Sequence, residues 1–235
     1  MRLVELRSVE GEAPLKLAEV YNVLAEVYIE TGNFALAEAP VRSSLAIREQ
    51  VLGKFHADVA VCLSNLGEVY RCQGREIEAE SYHLRALQIR KIVFGLEHPI
   101  TAISQNNLGL LFYQQGRDGE AEVRYERSLR NKEKSYGKDH PRIVIALTNL
   151  ALLRMQQERY GEAENLLKRT LLIDEEFYGT DHPFTAQGYN ALGDLYRTKG
   201  EYTEAEACHL TALLIRGKVF DKDHPAIAES AKNLA

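Results

Sequence analysis

The sequence is poor in several residue types, and these shortages exclude some classes of protein. Tryptophan is absent, and the 235 residues include only two methionines, three cysteines and six prolines. With so few prolines, 45% hydrophobic residues and 27% charged residues, the composition is unlike that of disordered chains. We therefore expect the chain to fold.

Long apolar runs and a secretion signal are also lacking. No stretch approaches the ~18 to 20 apolar residues of a membrane span, and the amino terminus has no apolar signal core. Cys62 and Cys72 are ten residues apart on one predicted helix, so about 15 Å would separate them, too far for a disulfide. Reduced thiols are typical of the cytoplasm, which is the location we expect.

Basic character and catalytic motifs are missing as well. The 29 Lys and Arg residues are outnumbered by 34 Asp and Glu, they form no run, and the net charge is −5, which argues against nucleic-acid binding. The sequence has no G-x-S-x-G, no phosphate-binding loop, no G-x-G-x-x-G and no H-E-x-x-H. We expect neither an enzyme nor a cofactor.

What the chain does have is an internal repeat of 42 residues. Histidines keep this step at His56, His98, His140, His182 and His224, and leucines keep it at Leu24, Leu66, Leu108, Leu150, Leu192 and Leu234. Units of this length cannot bury their own apolar faces and must stack on their neighbours. The repeat therefore predicts a solenoid whose long surfaces bind other molecules.

Two helices are predicted in each unit. In residues 56–97, apolar side chains recur at helical spacing in both halves: Ala60, Leu63, Leu66 and Tyr70, then Ala79, His83, Leu87 and Ile89. Gly74 and Gly95 follow the two halves, and glycine is typical of helix ends. Each unit is thus predicted to be a helix-turn-helix hairpin.

The repeat divides residues 1–235, taken as a single array, into five hairpins and two partial repeats. The hairpins are 14–55, 56–97, 98–139, 140–181 and 182–223, and the partial repeats are 1–13 and 224–235. Gly11 is predicted to end a helix because it keeps step with Gly53. We expect the two ends to lack the polar caps of natural arrays, so that homo-oligomers could form through them.

One hairpin carries a family resemblance. Leu66, Gly67, Tyr70, Gly74, Ala79 and Ala86 follow the tetratricopeptide pattern, whose usual period of 34 residues is eight shorter. The segments VLGKFHADVAVCLSNLGEVYRCQG and ALQIRKIVFGLEHP resemble the 42-residue repeats of kinesin light chain. The resemblance implies an all-α, right-handed superhelical solenoid and an adaptor that binds cargo peptides in its concave groove. Arg154 and Glu158 depart from the pattern, so we expect the fourth hairpin to bend differently.

The repeated histidines do not indicate a metal site. One histidine per repeat, with repeats about 10 Å apart, cannot bring several ligands to within ~2 Å of one ion. Pro follows most of these histidines and is well suited to the first position of a helix. We expect the histidines to form hydrogen bonds at helix starts.

The predicted groove is formed by side chains near each repeated leucine on the first helices. They are Asn22, Glu26, Ser64, Asn65, Glu68, Arg71, Asn106, Asn107, Leu110, Tyr113, Thr148, Asn149, Leu152, Met155, Asn190, Asp194 and Arg197. A carboxamide can pair with both the N–H and the C=O of an extended peptide, and matching asparagines in kinesin light chain contact cargo. Alternatively, the asparagines bond between neighbouring first helices and only shape the superhelix.

The flanking residues suggest a ligand preference. Arg71 and Arg197 could pair with acidic residues of the ligand. The apolar side chains of the row could form a pocket, namely Leu110, Tyr113, Leu152 and Met155. We therefore expect the ligand to carry an aromatic residue flanked by acidic residues. Glu68, like Asp194, makes the groove mixed in charge. The function predicted is a non-enzymatic scaffold or adaptor that binds a protein or peptide, without nucleic acid or membrane insertion. The alternative is a module that self-associates through repeat stacking.

Overall fold

The computed structural model describes residues 2–221 and 224–233, without the side chains of residues 2–12, 229, 231 and 233. The helices are α1 (Arg2–Glu30), α2 (Phe34–Leu52), α3 (Ala57–Cys72), α4 (Glu76–Phe94), α5 (Pro99–Gln114), α6 (Asp118–Tyr136), α7 (Val144–Gln156), α8 (Tyr160–Tyr178), α9 (Pro183–Lys199), α10 (Tyr202–Val219) and α11 (Pro225–Asn233). A 3-10 turn at Pro141–Ile143 precedes α7, and the described residues contain no strand. The predicted all-α class, built of helix-turn-helix repeats, is confirmed.

The repeated histidines cap the first helices of the hairpins. His56 Nδ1 accepts a hydrogen bond from the backbone N–H of Asp58 at 3.2 Å, and His98 does the same for Ile100 at 3.2 Å. The His98 ring also stacks on Phe94 at the end of α4, with centroids 5.0 Å apart. Each cap satisfies a donor that the first helical turn would otherwise leave unpaired. Within the described part of the chain, no group of three or more His, Cys, Asp or Glu side chains could hold a metal ion.

The turn of the fourth hairpin keeps the conformation of the others, although it lacks glycine. Gly74 has φ 72°, and Glu158, at the equivalent position, has φ 58°. The backbone N–H of Arg159 donates to the carbonyl of Arg154 at 2.8 Å, as Arg75 does to Tyr70 at 2.8 Å. The replacement of glycine by Glu158 therefore does not change the conformation of this turn.

Large side chains of the second helix pack directly on small residues of the first. A Cβ atom added to Gly67 would lie 2.6 Å from the His83 ring, and one added to Gly109 would lie 2.6 Å from Tyr125. In the fourth hairpin the two equivalent residues are Ala151 and Leu167, which share one buried cluster. The smaller Leu leaves room for the methyl group that the rings exclude.

The start of the chain differs from the prediction. Instead of a partial repeat over residues 1–13 that ends at Gly11, α1 runs without a break from Arg2 to Glu30 with Pro14 inside it. Pro14 stands where later repeats have a capping histidine, and a proline side chain cannot accept the hydrogen bond that starts a new helix. Leu24 is 39% exposed, whereas Leu108, at the equivalent position two repeats later, is fully buried.

The structure forms two compact units, one up to Asn131 and one from Lys132 onward. In the first unit each of α2, α3 and α4 packs on the helices before and after it, and in the second α8 and α10 both pack on α9. The glutamate that follows the repeated alanine joins successive hairpins. The Tyr70 hydroxyl donates to Glu38 at 2.8 Å.

The second unit shows the same inter-repeat link. The Tyr196 hydroxyl donates to Glu164 at 3.1 Å, and Lys199 Nζ also lies 3.1 Å from that carboxylate. Hydrogen bonds from Lys168, Lys199 and Tyr196 lower the pKa of Glu164 to about 2, despite some burial. Glu38 and Glu164 thus link their second helices to the following repeat.

Candidate functional site

In the first unit, the predicted groove residues lie on α1, α3 and α5. Most of them are half-buried, namely Asn65, Glu68, Arg71, Asn106, Asn107, Leu110 and Tyr113. Asn22 and Ser64 are buried, and Glu26 is exposed. Half-buried polar and apolar side chains thus share the first helices of this unit, and part of their surface is open to solvent.

Two members of the asparagine row serve the structure. Asn65 Nδ2 donates to Asn22 Oδ1 at 3.2 Å, which connects α3 with α1. Asn22 Nδ2 in turn donates to Glu26 Oε1 at 2.7 Å. For this pair the geometry favours the alternative interpretation, in which the asparagines bond between neighbouring first helices.

Asn107 is different. Its side chain is half-buried on α5, and among the described residues it has no hydrogen-bond partner. Its carboxamide therefore keeps both a donor and an acceptor available for another molecule. Leu110 and Tyr113 are half-buried further along the same helix and add apolar surface.

Arg71 is already paired within the chain. Its Nε donates to Glu68 Oε2 at 2.9 Å, and its Nη1 donates to Gln114 Oε1 at 2.8 Å. Burial by itself would raise the pKa of Glu68, but the bonds and charge of Arg71 outweigh it, and the pKa is lowered. A ligand carboxylate would have to compete with Glu68, so this arginine does not favour an acidic ligand.

In the second unit, Thr148, Asn149, Leu152 and Met155 lie on α7, and Asn190, Asp194 and Arg197 lie on α9. Asn190 is buried, and its Oδ1 is 3.4 Å from His209 Nδ1. With its amide rotated, Asn190 Oδ1 instead accepts from Nη1 and Nη2 of Arg216, both at 3.2 Å. Arg197 pairs with Asp194 at 3.0 Å. Asn190 is therefore a packing residue, and Arg197, like Arg71, has an internal partner.

A cavity of about 400 Å³ lies between α7, α8 and α9. It brings together two predicted residues, Thr148 and Asn149, with others that sequence reasoning missed. The additional lining residues are Pro141, Val144, Ile145, Thr170, Asp174, Tyr178, Phe184, Gln187, Gly188 and Ala191.

The missed residues include an unusual acid. Asp174 is only 3% exposed, and no hydrogen bond or ion pair joins it to any other described residue. Thr170 Oγ1 is also buried without a partner. Burial raises the pKa of Asp174 to about 6, against a smaller opposing effect of His182. The cavity therefore combines apolar and aromatic surface with two unsatisfied polar groups.

Comparison with solved structures shows what the fold resembles. BtubC (BKLC) from P. vanneervenii is 26% identical, with a TM-score of 0.73 over 95% of this chain and 94% of that one. A putative kinesin light chain from Podosopora anserina, with nearly identical repeats, is 23% identical, with a TM-score of 0.70 over 88% of this chain and 98% of that one. Pseudomonas aeruginosa pilF is 21% identical, with a TM-score of 0.61 over 95% and 92% of the two chains. The last two likenesses show the fold alone.

No curated protein matches the sequence. The family model of the tetratricopeptide repeat, by contrast, matches residues 16–92, 63–134, 142–207 and 189–235. These segments cover well over half of the chain and agree with the helical hairpins and with the resemblance found in the sequence. The chain therefore belongs to the tetratricopeptide-repeat family.

Proposed function

We propose that this protein is a non-enzymatic scaffold that binds an extended segment of a partner protein along the first helices of its hairpins. Tetratricopeptide repeats generally mediate protein–protein interaction. The observation that carries the proposal is the state of Asn107, whose half-buried carboxamide has no partner among the described residues. An extended peptide backbone offers the matching N–H and C=O groups.

Side chains beside the carboxamide support the same function. Leu110 and Tyr113 are half-buried apolar groups on α5, and a tyrosine with an accessible face is a common anchor in protein interfaces. Backbone pairing at Asn107 would fix the position of the peptide, and contacts with these two residues would select its side chains. No helix in the described part of the chain is long and apolar enough to cross a membrane. A cytoplasmic location stays our inference from the cysteine pattern.

The test is a peptide-display selection against the protein, followed by calorimetry on the selected peptides. Asn107→Ala should weaken binding about 5- to 100-fold, because a buried peptide hydrogen bond is lost, and it should leave the melting temperature nearly unchanged. Asn65→Ala is the matched control. It removes the bond to Asn22 and should lower stability more than Asn107→Ala does. Equal affinity of the wild type and Asn107→Ala for every selected peptide would refute the proposed site.

Self-association is the alternative function, and one feature favours it. The outward side of α4 exposes large apolar residues, with Ile77 85% and Ile92 60% exposed. Such residues can mediate contacts between copies when they form a patch. Light scattering over a concentration series distinguishes the two functions. A stable dimer that Ile77→Lys and Ile92→Lys dissociate would favour the oligomerisation module.

A further inference from the structure

One position in the second helices has a positively charged residue in every hairpin except one, which has an aspartate. At the 42-residue step the residues are Arg48, Arg90, Lys132, Asp174 and Arg216. Arg90, Lys132 and Arg216 are buried, and Arg48 is half-buried. A buried cation is therefore the rule at this position, and Asp174 is the exception. We call this repeat position the second-helix cation position.

The arginines at this position fill the space between their own helix and the next first helix. Arg90 Nη1 donates to Ser104 Oγ on α5 at 2.6 Å. Arg216 Nη1 donates to Ser230 Oγ at 2.8 Å and to the carbonyl of Ala226 at 3.0 Å, both on α11. Each guanidinium thus finds acceptors on the following hairpin and occupies the gap between the two helices.

In the fourth hairpin, two residue changes leave the equivalent space between α8 and α9 unfilled. Asp174 replaces the long cation with a short carboxylate, and Gly188 stands where Ser104 and Ser230 supply a hydroxyl in other repeats. Both residues line the 400 Å³ cavity. The structure therefore has an opening where Arg90 and Arg216 place a guanidinium group in their repeats, and Asp174 makes the lining of that opening acidic.

A carboxylate in this setting attracts a cation. Asp174 is almost fully buried, has no hydrogen bond or ion pair to another described residue, and lies beside Thr170, whose Oγ1 is also unpaired. A buried charge without a partner is unfavourable, and a guanidinium or ammonium group would remove that penalty through a charge-assisted hydrogen bond. His182 is the nearby titratable group, and its Nδ1 accepts a hydrogen bond from the backbone N–H of Phe184.

We propose that this cavity receives a lysine or arginine side chain from the bound partner segment. The inference rests on the proposed function and adds a specificity to it. Thr148 and Asn149 belong both to the predicted peptide-binding row and to the cavity lining, so a peptide along α7 could direct a side chain into the opening. Val144, Tyr178 and Phe184 provide apolar and aromatic walls for its methylene groups, and Asp174 binds its charged end.

The cavity is tested first with isolated side chains. N-acetyl-arginine amide and N-acetyl-lysine amide are titrated into isotope-labelled protein, with N-acetyl-glutamate amide as the acidic control. We expect saturable NMR shifts at Thr170, Gly188 and Ala191 with the cationic probes only, and at least tenfold weaker binding to Asp174→Asn. Glu176→Gln, which neutralises an exposed carboxylate on the same helix, should bind as the wild type does. Absence of saturable shifts, or equal binding to Asp174→Asn, would refute the cationic pocket.

The peptide context is tested by display selection on the wild type and on Asp174→Arg/Gly188→Ser, which introduces the pair found at Arg90 and Ser104 and at Arg216 and Ser230. The wild type should enrich Arg or Lys at one peptide position, and the double variant should lose that enrichment. Asp174→Asn serves as a second variant in case the double variant does not fold. Selected peptides without a basic position, or with one that survives both variants, would refute this inference and leave the proposed function standing. If no peptide is selected although the cationic probes bind, both the proposed function and a peptide side chain as the occupant are wrong.

Discussion

At the scale of single residues, Glu158 holds a backbone conformation that suits glycine. Its φ of 58° lies in the left-handed region, where a side chain costs about 1 kcal/mol. We predict that Glu158→Gly raises the free energy of unfolding by about 0.5 to 1 kcal/mol, measured by urea denaturation. Gly116→Glu is the reciprocal change in another hairpin turn, at φ 69°, and should lower stability. A loss of stability in Glu158→Gly would mean that the glutamate side chain contributes more than the strain removes.

His83 predicts a pH dependence of stability. Its ring is fully buried with neither nitrogen hydrogen-bonded, and burial lowers its pKa to about 4, with Glu68 opposing this and Arg71 and Arg90 adding to it. The unfolded chain, with an ordinary histidine pKa near 6.5, binds the proton more readily than the folded one. The stability that neutral His83 contributes to the folded state is thus fully present above about pH 6.5. It is lost as the pH falls towards 4, and the free energy of unfolding decreases by about 3 kcal/mol.

Denaturation of the wild type and of Gly67→Ala/His83→Leu between pH 4 and 7 measures this effect. Carboxylates elsewhere titrate in both proteins, so the difference between the two curves isolates the histidine. The wild type should lose more stability than the variant as the pH falls. Parallel curves would show that His83 is protonated as easily in the folded state as in the unfolded one.

At the scale of helices, the pairing of small and large residues predicts a coupling. Gly67→Ala places a methyl group 2.6 Å from the His83 ring and should destabilise the protein by about 1 to 3 kcal/mol. Adding His83→Leu recreates the Ala151 and Leu167 pair and should recover about 1 to 2 kcal/mol in a double-mutant cycle. Gly161→Ala, at a helical glycine with open space around it, should be neutral or stabilising. Additive effects of the two core changes would contradict this packing.

The sequence predicts the helices more completely than it predicts the site. The 42-residue step places Leu66 and Ala79 in the core correctly, because periodicity reports which face of a helix is apolar. It does not foresee that α1 continues through Pro14, since a missing cap is visible only by comparison with the histidine caps. Asp174 breaks the charge pattern of its repeat position in the sequence, but the importance of this change depends on knowing that the position is buried.

At the scale of the whole molecule, stability should be local. Helices of such an array pack mainly on their neighbours in sequence, as α3 does on α2 and α4 and as α9 does on α8 and α10. Leu108 is fully buried on α5, and Leu108→Ala should cost about 2 to 5 kcal/mol by leaving a cavity. We predict that native-state hydrogen exchange accelerates most in α4 and α5 and least in α10, because no contact of Leu108 has to be broken for α10 to open. Equal acceleration in α5 and α10 would show instead that the chain unfolds as one cooperative block, and a change near zero would mean that the leucine face does not form the core.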